Sequence, residues 1–123
     1  MPTPRVRTVA VIDDDRRVLA SLENLLASAG YGTRAYESAL DFFADGYSGL
    51  VCVITDLGMQ PIDGIQVLDR TVHSDADATT PVIIITGKPS EHTEGYYLQR
   101  GALGFFRKPV DGEALLDLLD SIA

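Results

Sequence analysis

Short, nearly continuous apolar runs alternate along this chain with segments whose apolar residues recur every three to four positions. The runs occupy residues 8–12, 50–54, 82–85 and 103–106 and are rich in β-branched or aromatic side chains. Runs of this length without polar alternation suit strands buried on both faces, as in a parallel sheet. A weaker run at 32–36 has mixed polarity and is expected at a sheet edge. Between the runs, Val18, Leu19, Leu22, Leu25 and Leu26 recur at helical spacing, and Gly30 follows as the stop. Ser38 with Asp41 predicts an N-cap and an acid in the first turn, ahead of Phe42 and Phe43. Ile65, Leu68 and Val72 predict one face of a third helix. Leu115, Leu118, Leu119 and Ile122 predict a last one, with Asp111 as its N-cap. A fourth helix is expected between 90 and 100, starting at Pro89 and Ser90 and weakened by Gly95 and two tyrosines. Pro81 and residues 75–80 mark the loop before the fourth apolar run. The order is βα five times over, and right-handed crossovers then place helices on both faces of a parallel sheet. This is an α/β, doubly wound (βα)5 architecture.

Length adds that 123 residues suit one domain, 1–123, with no internal repeat, linker or low-complexity stretch. The one cysteine, Cys52, lies inside an apolar run and reads as a small buried thiol. Residues 1–5 lead into a strand-like run and not into the apolar core of a signal peptide. No stretch approaches the roughly 20 apolar residues that span a membrane, so the expected location is cytoplasmic. The net charge of −8 argues against a nucleic-acid surface, which needs clustered Lys and Arg against phosphates. There are two lysines, Lys88 and Lys108, and each follows a strand end.

In open α/β sheets, sites form beyond the C-terminal ends of the strands. Here the first strand ends at Asp13-Asp14-Asp15, the third at Asp56 and the fourth at Thr86-Gly87, while Lys108-Pro109 follows the fifth. Taken singly, each has an ordinary explanation: a helix cap, a turn, a strand end, a solvated charge. Their coincidence at one kind of position reverses that reading. Gathered carboxylates raise one another's pKa. A hard divalent cation relieves the repulsion, and Mg²⁺ suits a few carboxylates while keeping several waters. An aspartate held against Mg²⁺ and a lysine can attack a phosphoryl group and form an acyl phosphate.

The blocks Val11 to Asp15, Ile54 to Met59, Ile84 to Gly87 and Phe105 to Pro109 resemble those of the receiver domains of two-component response regulators, in wording nearest the FixJ-like subgroup. The resemblance covers essentially the whole chain. It implies a flavodoxin-like sheet of order 2-1-3-4-5, Asp56 as phospho-acceptor, and Mg²⁺ held directly by Asp14, through water by Asp13, and by Asp56 and the backbone carbonyl of Gly58. It further implies that Thr86 and Lys108 bind phosphoryl oxygens, that Gly87 leaves space for the phosphate, and that Thr86 and Phe105 form the switch. Asp15 is left to cap the first helix. The Lys108–Pro109 peptide is expected to be cis. Lys88 and Gly58, two residues after Thr86 and Asp56, are expected to influence how water reaches the phosphoryl group. Implied partners are a histidine kinase or phosphotransfer protein and a downstream protein or output domain. Direct nucleic-acid or membrane binding is not implied, and a homodimer is left open. Such a domain catalyses only its own phosphorylation and dephosphorylation.

Two departures stand out. Gln60 replaces the family's usual proline, with Pro61 following, and Gly95-Tyr96-Tyr97 alters the fourth helix on the face that meets partners. Gly64 still falls eight residues after Asp56, so loop length is kept. A haloacid-dehalogenase-type phosphatase would need an acid at position 58. A nucleotide-binding fold would need a glycine-rich turn where three aspartates stand. The chief rival is a phosphorylation-independent pseudo-receiver that acts as a protein-binding module. For context, the FixJ-like wording favours a receiver cut from a transcription factor, while the native-looking start tips the expectation slightly toward a stand-alone protein.

Overall fold

The computed structural model describes residues 7–73, 80–87, 89 and 92–122. Strands and helices alternate as β1 (Thr8–Ile12), α1 (Arg16–Ser28), β2 (Gly32–Tyr36), α2 (Ala39–Asp45), β3 (Leu50–Asp56), α3 (Gly64–Val72), β4 (Val82–Thr86), α4 (Glu94–Gln99), β5 (Gly104–Arg107) and α5 (Gly112–Ile122). The strands form one parallel sheet in the order β2-β1-β3-β4-β5. The mixed-polarity run β2 is at one edge, as its composition predicts.

Strand alternation distributes the core between two layers. Val9, Val11, Cys52, Ile54, Ile83 and Ile85 pack against Leu19, Leu22 and Leu26 of α1 and Leu115 and Leu119 of α5. Ala10, Ile12, Val53, Val82 and Ile84 pack against Phe42 of α2, Val67 and Leu68 of α3 and Tyr97 of α4. Both faces are covered, which is why the runs carry no polar alternation. The third helix turns its expected face, Ile65, Leu68 and Val72, to the core, and Val67 and Thr71 widen it. Val67, Leu68 and Thr71 are buried, while Ile65 and Val72 flank them half-buried. In α5, Ile122 stays exposed at the last turn.

Local chemistry sets most helix ends. The Asp15 carboxylate caps α1 by accepting from the Arg17 amide, and the Ser38 hydroxyl caps α2 by accepting from the Asp41 amide. Asp111 accepts from the Ala114 amide at the start of α5. Gly30, at φ +86°, lets the Gly30 and Tyr31 amides turn back onto the Ala27 and Leu26 carbonyls and closes α1. In α3, Asp63 and Gln66 bond reciprocally in a capping box. The fourth helix begins later than Pro89, at Glu94, with Thr93 as N-cap. The Thr93 hydroxyl accepts from the Tyr96 amide and so supplies the start that Pro89 and Ser90 were expected to give. Ser90 and loop residues 75–79 lie outside the described residues. Lys108–Pro109 is cis, as expected, and so is Gln60–Pro61.

Candidate acidic site

Parallel register assembles the site. Ile12 pairs with Thr55, so the residues that follow, Asp13 and Asp56, emerge side by side at the sheet's C-terminal edge. Thr86 pairs with Arg107, and the Lys108 amide donates to the Thr86 carbonyl at 2.8 Å, which carries the lysine back over the same edge. This edge lies at the switch point of the sheet, where β1 is flanked by β2 on one side and β3 on the other.

Asp13 is fully buried, Asp56 nearly so and Asp14 exposed. One oxygen from each lies within 4.8 Å of the others. Asp13 Oδ1 accepts from the Asp15 amide at 2.9 Å, and Asp13 Oδ2 lies 2.8 Å from Lys108 Nζ. The same ammonium is 3.3 Å from Asp56 Oδ1. Burial raises the Asp13 carboxyl above its ordinary range, and the nearby Asp56 charge adds to this; the bonds from Lys108 and Asp15 oppose it without cancelling it. For Lys108, burial works against the charge, but pairing with Asp13 and Asp56 more than offsets it and the ammonium is raised. The Arg17 guanidinium beside Asp15 holds that carboxyl below the usual range.

Asp14, Asp15, Asp56, Gly58, Thr86, Gly87 and Lys108 line an open cavity of about 250 Å³. Thr86 is buried at its edge. A larger, mainly apolar groove of about 500 Å³ between α1 and the start of α5 borders it and shares Asp15 and Lys108. Two glycines keep the cavity in shape. A Cβ at Gly87 would stand 3.2 Å from Lys108 Cδ, so this glycine gives the lysine its path. A Cβ at Gly64 would stand 2.5 Å from the Asp56 carbonyl oxygen and 2.9 Å from Leu57 Cα. The Gly64 amide donates to the Leu57 carbonyl at 3.1 Å and closes the loop around Gln60. Met59 and Ile62 bury into the core and hold that loop, so the Gln60 departure leaves the acidic cluster assembled.

The structure thus brings together Asp13, Asp14, Asp56, Gly58, Thr86 and Lys108. Phe105 does not line the cavity. Its half-buried ring stacks on fully buried Tyr97, with centroids 5.2 Å apart and planes at 16°. Lys88 lies outside the described residues. Reading the sequence missed the approach of Gly64 to Asp56, for which a glycine eight residues after an aspartate gives no local cue. It also missed the Asp63–Gln66 capping box, whose spacing was visible.

Three oxygens within 4.8 Å suit a single small cation, since trans oxygens around Mg²⁺ stand about 4 Å apart. The donor set is all oxygen, as a hard cation requires. Lys108 on Asp13 leaves exposed Asp14 and the cavity side of Asp56 as the accessible donors.

The sequence model of the response regulator receiver domain matches residues 9–120. Over 115 residues the chain is 33% identical to the transcriptional regulatory protein FixJ of Bradyrhizobium diazoefficiens, spanning 92% of this chain and 55% of that protein. It is 32% identical over 120 residues to the transcriptional regulatory protein TdiR of Thauera aromatica, spanning 97% of this chain and 52% of that one. The chain therefore spans about half the length of these curated relatives. Among solved structures, a response regulator receiver protein from Pseudomonas putida superposes with a TM-score of 0.81 at 26% identity, covering 97% of this chain and 99% of that one.

Proposed function

The chain belongs to the response regulator receiver domain family of two-component systems, and from that premise we propose that Asp56 accepts a phosphoryl group from a histidine kinase or phosphotransfer protein. The observation that carries this reading is the position of Lys108, whose ammonium bridges buried Asp13 and Asp56 at the wall of the acidic cavity. Such a bridge holds one Asp56 oxygen and leaves the carboxylate facing an open space sized for a phosphoryl group. In the step, an Asp56 oxygen forms a bond to phosphorus as the bond to the donor's leaving group breaks. Later attack by water breaks the Asp56–phosphorus bond and restores the carboxylate. Lys108 neutralises one phosphoryl oxygen, and the Thr86 hydroxyl bonds another. Asp14, Asp56 and the Gly58 carbonyl would hold Mg²⁺ directly, and Asp13 through water. When bound, Mg²⁺ neutralises the carboxylates and draws the incoming oxygens into place.

The domain acts on its own side chain and not on a pool of substrates. Its products are changed contacts, made through Thr86 and Phe105, with a downstream protein or output domain. No described helix is long and apolar enough to cross a membrane; the reading places the domain in the cytoplasm, where its phosphoryl donor works. The pseudo-receiver alternative finds no support in the comparisons or in a site that retains Asp13, Asp14, Asp56, Thr86 and Lys108. The test is labelling with acetyl phosphate, followed by intact-mass spectrometry. Labelling should require Mg²⁺, fall in Asp14→Ala through weakened metal binding, and fall in Lys108→Ala with metal affinity largely kept. Equal labelling with and without Mg²⁺ would contradict the assignment of the metal site.

A further inference from the structure

Helix α4 is six residues long and contains Gly95. A helix this short has little stability of its own, so tertiary contacts decide where it sits. Two are visible. At its middle, Tyr97 is buried among Ile84, Val82 and Ala102 and stacks on Phe105. At its end, Arg100 reaches across to Asp69 of α3, where Nε donates to Oδ1 at 3.2 Å and Nη2 pairs with Oδ2. The two-pronged geometry fixes orientation as well as distance. Arg100 Nη1 also donates to the Tyr96 hydroxyl at 3.0 Å, and the guanidinium lies over the Tyr96 ring. Asp69 belongs to the helix whose first residue, Gly64, rests on the Asp56 backbone. Phe105 belongs to the strand that leads into Lys108.

These contacts form a closed circuit. It runs from Asp56 through the Gly64 junction into α3, across Asp69 and Arg100 into α4, through the Tyr97–Phe105 stack into β5, and back by Lys108 to Asp56. We infer that the Asp69–Arg100 pair is a latch that fixes α4, and with it the Phe105 ring, to the helix anchored beside Asp56, and thereby sets how readily the acidic site takes up a phosphoryl group. The inference rests on the proposed function, because the equilibrium it biases is that of phosphoryl occupancy. Arg100 and Asp69 are positioning residues: neither lines the cavity. Because the pair stabilises the arrangement of α4 described here, in which Phe105 stacks on Tyr97, occupancy of the site that favours another arrangement is strengthened once the pair is released.

Beryllium fluoride with Mg²⁺, which mimics a bound phosphoryl group, provides the probe. Its affinity is measured for the whole chain and for Asp69→Asn, Arg100→Gln and the double variant, with circular dichroism to verify folding. Each single variant should bind about threefold tighter, the scale of one partly exposed ion pair. The double variant should match the singles, because the second change has nothing left to release. Tyr97 and Phe105 ring resonances in the unliganded variants should shift toward their liganded positions. Wild-type binding with unchanged affinity in folded variants would overturn the latch and leave the phospho-acceptor reading intact. Additive effects in the double variant would overturn it too, since the two residues would then act separately. A wild type that never binds the probe would instead count against the proposed function, on which the latch depends.

Discussion

Cys52, Tyr31 and Tyr36 carry groups whose ordinary chemistry the fold suppresses. Burial pushes the Cys52 thiol up to about 12, so its thiolate fraction at neutral pH is negligible. The expected outcome is no reaction with a thiol reagent in the folded protein and one equivalent after unfolding, read by absorbance. Both phenols are raised, first by burial and then by hydrogen bonds at 2.7 Å to Asp120 and Asp45. A folded-state pKa above the unfolded value of about 10 means the folded state holds the proton more tightly. The stability this contributes is fully present below pH 10 and is lost as pH rises through the folded pKa. Lys108, also raised, adds to the loss in the same direction above about 10.5. Urea midpoints should therefore hold up to about pH 10 and fall above it, and the drop should be smaller in the Tyr31→Phe, Tyr36→Phe double variant. An equal drop in that variant would assign the effect elsewhere.

Helix α3 shows how an element's end can matter more than its face. Its Asp63–Gln66 capping box supplies the usual gain of a good N-terminus, so Asp63→Ala should cost about 1 kcal/mol. For a domain of this size that lowers the melting temperature by about 4 °C. The first helical residue is under a harder constraint. Gly64→Ala would drive a methyl against backbone atoms of Asp56 and Leu57, which cannot swing aside. It should destabilise by roughly 1–3 kcal/mol and reduce labelling of the site. Gly58→Ala is the control, because a Cβ there meets nothing within 4 Å. Near-wild-type stability is expected for Gly58→Ala, and denaturant titration of both variants checks the contrast. Strand positions were legible in the sequence to within one or two residues, because the runs are too short for a buried helix and rich in β-branched or aromatic residues. The start of α4 was not. Pro89 and Ser90 offered a local start, while Thr93 and the buried Tyr97 took precedence through packing that spacing does not reveal. The face of α3 was legible through Ile65, Leu68 and Val72, all of which meet the core; Thr71, buried against the Tyr47 hydroxyl at 3.0 Å, was not, because an apolar count passes over a polar contact.

Across the whole molecule, strand register does the assembling. Asp13, Asp56, Thr86 and Lys108 are scattered over 96 positions of the chain and reach one edge because four parallel strands end in step. That convergence was legible, since each residue follows an apolar run. The buried bridge from Lys108 to Asp13 was not, because depth below the sheet edge is a tertiary property. We propose that Asp56, and no other carboxylate of this cluster, takes the phosphoryl group. The most direct test incubates wild type and Asp56→Asn with acetyl phosphate and Mg²⁺ and reads intact mass before and after hydroxylamine. The predicted result is one hydroxylamine-labile phosphoryl group on wild type and none on Asp56→Asn. Labelling of Asp56→Asn to the wild-type level would contradict the claim.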